Sequence, residues 1–485
     1  MKLCFASSSM KMDFRVRIEI VRKLECYEPT LANSGSGAGS VIACGRSDYY
    51  QEPANLATGD QYYHFPLIVG PGGALWGDAN RYLLSRINAV VPAKHRTLET
   101  VAGDLAHFRQ WCLEEEIDYL AVSSRPLARP TYRYCSYLHD EVRVGKLGPG
   151  TAKRRMSSLQ NFYRWLELDG KHFNYPLWVE SDAALAFFDS KGFQKKRPVK
   201  TTDLTRSFRI TKSNTDFSEY IEDGGKLRPL PREEQVALVE ALKTIGNTEM
   251  TLAFFLAMAT GARLQTIFTL RRRNFSGEPY RGAVSQPVKV GNGTLVSTKY
   301  GKQMVLLIPI FLYRKIQVYM QSERCCKRVD ASKREYPNED EQYLFLTRSG
   351  QPYYMSENDP FARLYRSPPR GNAVTQFIRQ QLKPELYHQG ADFEFRFHDL
   401  RATFGMNLLE SMIGQLSGKS QNSTPKPDLT KAIMLVRTRM GHSRIATTEG
   451  YLKYREKYHI ALKLQDDYER YLESLLSGEV CDELG

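Results

Sequence analysis

The sequence predicts a mainly α-helical protein with a small β-sheet, built as two folded regions joined by a basic linker. Apolar residues recur at helical spacing over residues 76–185 and again through much of 228–460. Strict alternation is confined to short stretches. Between the two helical regions, residues 191–212 carry eight Lys/Arg against one acid and show little periodicity. The division expected is an N-terminal extension over 1–75, a helical domain over 76–185, the linker over 186–227, a larger mixed α/β domain over 228–460, and a C-terminal helix or tail over 461–485.

The N-terminal extension holds one readable strand, FRVRIEIV at 14–21, in which apolar and charged residues alternate. NSGSGAGS at 33–40 lacks the Lys-Ser/Thr that a phosphate-cradling loop requires, and reads as a flexible loop. In the helical domain, Leu98, Val101, Leu105, Phe108 and Cys112 form one stripe, with Thr97 placed to cap it. PTYRYCSYLHDEV opens on a proline suited to a first turn. Thr151 can cap a third helix whose Met156, Leu159, Phe162 and Leu166 face inward. Its first turns carry Lys153, Arg154 and Arg155, which suit either phosphate contact or a solvated face. Lys195, Lys196 and Arg197 in the linker could follow a polyanion by releasing its counterions.

In the larger domain, PREEQVALVEALKTI and EMTLAFFLAMAT read as helices, the second broken at Thr260-Gly261. TLVSTKYGKQMVLLIPI resembles a hairpin turning at Lys299–Lys302, and 322–342 reads as a polar surface loop. FEFRFHDLRATFGMNLLESM runs from an extended piece into a helix, and 417–428 has loop chemistry. Arg271 and Arg272, in LRRRNF, could contact DNA or simply face solvent.

Composition bounds the function. The chain has 485 residues, 42% hydrophobic, and its 68 Lys+Arg against 54 Asp+Glu give +14, a surplus that suits nucleic acid or another anionic surface. No apolar run approaches the ~20 residues of a membrane span. The N-terminal apolar stretch is too short for a signal peptide, so a cytoplasmic, DNA-associated protein is expected. Eight scattered cysteines without C-x-x-C, and nine dispersed histidines, give no metal-ligand spacing. Neither metal nor cofactor is expected.

The chemistry-bearing residues occur in a telling order: Arg263 after the Gly261 break, Lys299 at the hairpin turn, His398 and Arg401 in HDLR, then His442 and Tyr451 in MGHSRIATTEGY. This series resembles the tyrosine recombinase (phage integrase) family over about 228–460, and the helical region resembles that family's core-binding domain. The resemblance implies a helical core-binding domain and a mixed α/β catalytic domain. The implied activity is site-specific DNA strand exchange through a 3′-phosphotyrosyl intermediate and a Holliday junction, for integration or excision of a mobile element. It further implies double-stranded DNA recombination sites as partners, a dimer at each site, a tetramer at synapsis, and a directionality factor as a further partner to consider.

Within that resemblance Tyr451 is the nucleophile and His398 the proton acceptor. His442 bonds the phosphate, Lys299 protonates the departing 5′ oxygen, and Arg263 and Arg401 clamp the phosphate. Guanidinium forks match phosphate oxygens, and a donor placed on developing charge contributes about 3–4 kcal/mol. Lys302 competes with Lys299, and Tyr454 with Tyr451. Where the family often has an acid three residues after its first arginine, this chain has Thr266. A type IB topoisomerase, or a regulator that keeps the fold without the reaction, would share much of the pattern.

Overall fold

The computed structural model describes residues 15–25, 29–31, 40–44, 47–51, 61–87, 93–188, 194–206, 208, 220–332, 334, 336, 338–356, 359–418, 429–457 and 468–470. It is mainly helical with small antiparallel sheets, as expected. The chain divides into one compact unit within Met1–Lys212, which also takes in Arg363–Ser367, and a second formed by the remainder.

The first unit packs the helices Gly77–Ile87, His95–Glu114, Pro130–Arg143 and Pro149–Leu168 around an aromatic core that includes Trp76, Phe108, Trp111, Tyr134 and Phe162. The stripe residues Leu98, Leu105, Phe108 and Cys112 are buried, as are Met156, Leu159, Phe162 and Leu166. Neither expected threonine cap holds. The helices start earlier, after Lys94 and Gly148, which leaves Thr97 and Thr151 inside the first turns. Pro149 at the head of its helix explains the second shift, because a proline at the first position needs no partner for a missing N–H.

Part of the N-terminal extension joins the helical core of the first unit. Its strand Arg17–Glu25 pairs antiparallel with Gln61–Val69, and Phe65 and Ile68 enter the helical core. Asn80 fastens the inner strand to the first helix, its side chain accepting from the Ile68 N–H at 2.8 Å and donating to the Ile68 carbonyl at 3.0 Å. The loop at 33–39 lies outside the described residues.

The expected linker contains regular structure too. Glu180–Phe188 and Gln194–Thr202 form an antiparallel hairpin, followed by the short helix Asp203–Arg206. Gln160 donates to the Thr202 hydroxyl at 2.6 Å and Tyr132 to the Asp203 carboxylate at 2.5 Å, which binds this hairpin to the helices before it. Its strand pattern is obscured in the sequence because the second strand is almost wholly polar.

The second unit is built on Arg232–Ile245, Thr248–Thr260, Ile310–Gln321, Asp399–Gly418 and Leu429–Met440, with a two-stranded hairpin. The hairpin pairs Ser285–Val290 with Met304–Pro309. Its first strand therefore lies upstream of the expected TLVST run, and Lys299–Gly301 forms a tight turn with Tyr300 in left-handed backbone. The expected loop at 322–342 opens with the helix Glu323–Asp330, capped by the Ser322 side chain. Buried Glu249 draws that helix in, pairing with Arg324 at 2.8 Å and Arg328 at 3.1 Å and accepting from the Tyr319 hydroxyl at 3.1 Å. Most of 417–428 and of the C-terminal tail lies outside the described residues.

Replacing Glu249 by Ala strands Arg328 without its carboxylate, so we expect a loss of about 3 kcal/mol in urea unfolding of the full chain. Glu249→Gln should retain part of it through the Tyr319 bond.

Candidate active site

The second unit brings most of the expected catalytic residues together, and its turns explain how. The helix Thr248–Thr260 ends at Gly261, whose φ of 65° closes it in left-handed backbone. A side chain there would also strike Phe404, 2.4 Å from the position of a Cβ. Gly261 thereby reverses the chain, sets Arg263 at the mouth of the next short helix and turns its own carbonyl inward.

Arg401 lies one turn into Asp399–Gly418 and is almost fully buried. A buried guanidinium must have its donors met. Nη1 donates to the Gly261 carbonyl at 2.7 Å, Nη2 to the Met440 carbonyl at 2.8 Å, and Nε to Asp223 Oδ2 at 2.6 Å. His442 follows Gly441, at a φ of 66°, directly beyond the helix Leu429–Met440. Its Nε2 meets Asp223 Oδ2 at 3.0 Å, and its Nδ1 lies 3.0 Å from the Thr448 hydroxyl. Helical residues 445–457 carry Tyr451, 0% exposed, with its hydroxyl donating to the same Asp223 oxygen at 3.2 Å. Gly405 makes room for the phenol: a Cβ there would stand 2.5 Å from the Tyr451 ring. Arg263 Nη2 lies 3.6 Å from Asp223 Oδ1.

Asp223 is the residue that sequence reading missed. It sits at the tip of a small hairpin, Ile221–Glu222 with Lys226–Leu227, inside the stretch expected to be linker. The available signal was Asp-Gly-Gly between Ile221 and Leu227, a turn pattern flanked by apolar residues. Those flanks are buried in one core cluster with Tyr451 and Met440. Thr448, also missed, fixes the far side of the His442 ring.

The two competing pairs occupy different places. Lys302 donates to the Gly441 carbonyl at 2.8 Å and so braces the His442 turn. The Lys299 ammonium lies 3.3 Å from where a Cβ on Gly224 would stand, beside the Asp223 turn. Tyr454 packs half-buried on the edge of the core cluster, whereas Tyr451 reaches the carboxylate. His398 immediately precedes the Arg401 helix, and among the described residues its ring has no hydrogen-bond partner.

The electrostatics follow from this crowding. Burial alone would raise the Asp223 carboxyl, but the His442 hydrogen bond and the Arg401 charge override it and hold it well below the usual range. Burial, reinforced by the Asp223 charge, pushes the Tyr451 phenol well up, with Arg401 and Arg263 opposing. Burial and then the two arginines drive His398 down to about 4.

The candidate DNA-contacting residues fare differently. Arg271 is a core strut at 1% exposure. It pairs with Asp359 at 3.1 Å and lies over the Tyr343 ring at 3.6 Å, so it presents no charge to a ligand. Arg272 is half-buried against the Cys325 thiol. Their charge suggested a surface role because a run of arginines does not reveal which one faces a buried acid. Arg154 is paired with buried Asp104 at 2.8 Å and Arg155 with the His107 ring at 2.9 Å, while Lys153 is exposed. Lys196 is exposed on its strand; the side chains of Lys195 and Arg197 lie outside the described residues.

No protein-family model and no curated protein matches the chain. Among solved structures it is similar to the XerH site-specific recombinase bound to palindromic difH substrate, at 14% identity over 80% of this chain and 89% of that one, with a TM-score of 0.41. It is similar to a lambda integrase (75–356) dimer bound to a COC′ core site at 15% identity, over 79% and 96% of the two chains, with a TM-score of 0.41. The Tn1549 transposon integrase (aa 82–397) in complex with circular intermediate DNA gives 14% identity, 76% and 94% coverage, and a TM-score of 0.37. Among the described residues no helix is long and apolar enough to cross a membrane.

The folded value of Asp223 lies below its ordinary 3.8, so its stabilisation is present above that pH and lost as pH falls towards the folded value. Asp223→Asn should cost about 3 kcal/mol near neutrality by leaving Arg401 without its counter-charge. Urea melts should show the gap to wild type narrowing below pH 3.8.

Proposed function

We propose that the protein is a site-specific DNA recombinase that cleaves and rejoins strands through Tyr451. One observation carries this reading: the Tyr451 hydroxyl, the Arg401 guanidinium and the His442 imidazole converge on a single buried carboxylate oxygen, with Arg263 beside it. A nucleophile, two fixed cations and an imidazole donor around one anion are what in-line attack on a phosphodiester needs.

Tyr451 Oη would attack the phosphorus, forming the P–O(Tyr) bond as the bond to the 5′ oxygen breaks. Arg263 and Arg401 hold the non-bridging oxygens and His442 donates to one of them. His398, neutral at physiological pH because burial and two arginines depress it, takes the phenolic proton. Lys299, on the Asp223 side of the pocket, gives a proton to the 5′ oxygen. The 3′-phosphotyrosyl bond keeps the phosphodiester energy, so attack by another strand's 5′ hydroxyl reverses the step without ATP. Repeated on two duplexes by a dimer at each site and a tetramer at synapsis, this exchanges strands through a Holliday junction. Integration or excision of a mobile element is the outcome this chemistry serves. The +14 surplus favours duplex DNA as partner. Lys153 and Lys196, exposed in the first unit, are candidate cations for that contact.

On a nicked duplex from the junction flanking its gene, wild-type protein should form a gel-stable covalent adduct. Tyr451→Phe should abolish the adduct and keep DNA binding, whereas Tyr454→Phe should retain both. An adduct that survives in Tyr451→Phe would move the nucleophile.

Adduct formation at limiting DNA should stay level on the acid side down to about pH 5, because His398 titrates near 4. A decline centred on the ordinary histidine value of 6.5 would assign proton acceptance to another group.

A further inference from the structure

The Asp223 carboxylate holds every contact that the proposed reaction assigns to the phosphate. Its Oδ2 takes Arg401 at 2.6 Å, His442 at 3.0 Å and Tyr451 at 3.2 Å, while Oδ1 faces Arg263 at 3.6 Å. Its side chain is 5% exposed. A carboxylate and a phosphodiester both present two anionic oxygens, so one set of donors suits either. Two anions cannot share one buried seat, since their repulsion is strongest where water is excluded.

Asp223 is badly suited to be the base in this position. The donors around it keep the carboxylate ionised and weakly basic, and its charge favours the protonated phenol of Tyr451. Its mounting, however, permits withdrawal. The hairpin has two residues in each strand, and its tip runs into Gly224, at a φ of 74°, and Gly225. Ile221 and Leu227 pin the base of the hairpin in the core while the tip itself carries one backbone bond, from the Asp223 N–H to the Gly225 carbonyl at 3.0 Å.

We propose that Asp223 is a built-in phosphate mimic: its carboxylate occupies the seat of the scissile phosphate and restrains Tyr451, and an incoming DNA phosphate must displace it before the phenol can attack. This rests on reading the pocket as a phosphate site. It adds that the protein competes with its own substrate for that site. Displacement frees the Tyr451 hydroxyl from an acceptor that holds its proton, and returns both guanidinium groups to an anion that can react.

The test uses the full chain and inorganic orthophosphate as probe. Thermal melts and calorimetry compare wild type with Asp223→Asn in sodium phosphate and in sodium chloride of equal ionic strength. In chloride the variant should melt lower than wild type. Phosphate should restore it specifically, and should bind it at least about tenfold more tightly than wild type. Equal phosphate affinity in the two proteins overturns the proposal. If the variant folds in neither buffer, Asp223→Ser replaces it: a phosphate-specific rise in melting temperature no larger than that of wild type overturns the plug. The adduct assay separates this proposal from the reading beneath it. Wild-type adduct without tighter phosphate binding by the variant sinks the plug alone; absence of any wild-type adduct sinks the strand-transfer reading, whatever phosphate does.

Discussion

A guanidinium removed from water organises the second unit. Arg401 cannot shed its charge, and burying it is tolerable only if its donors find partners. It finds them in the carbonyl that ends one helix, the carbonyl that ends another, and a carboxylate on a short hairpin. Those partners belong to segments far apart in the chain. Satisfying one side chain therefore fixes where Gly261 reverses the backbone, where Met440 stops, and where Asp223 projects. Arg263 and His442, each within two residues of one of those carbonyls, are placed as a by-product.

Packing sharpens what the charge begins. Phe404 and Gly405 are consecutive on the Arg401 helix and do opposite things. The Phe404 ring fills the space beside Gly261, and the missing side chain of Gly405 admits the Tyr451 ring. The site is thus as much a matter of where atoms are omitted as of where they are supplied. Lys302, the competitor of Lys299, is also structural here, since its ammonium braces the turn that presents His442.

The sequence disclosed the parts whose identity is chemical. Arginine, histidine and tyrosine in that order, with a glycine before the first arginine and another before His442, could be read because each residue type has a job that few others can do. The helical stripes were equally readable, since periodicity survives any tertiary arrangement. Asp223 escaped because it lies in a hairpin too short for a strand pattern, amid a stretch whose charge suggested a linker. Arg271 misled for the complementary reason: burial beside Asp359 and Tyr343 is decided by residues some seventy to ninety positions away, and no local feature distinguishes it from its exposed neighbour Arg273. The same holds for Arg154, whose partner Asp104 sits on another helix.

Thr448 and Tyr451 are three residues apart on one helix, so they share a face. One steadies the imidazole and the other is the phenol beside it. Each residue of an α-helix advances the rotation by about 100°. Inserting or deleting a single amino acid between Ile445 and Thr448, inside that helix, would therefore swing both side chains away together, and no partial adjustment could recover one without the other. The count from the start of that helix to Tyr451 is thus held by geometry to a single integer.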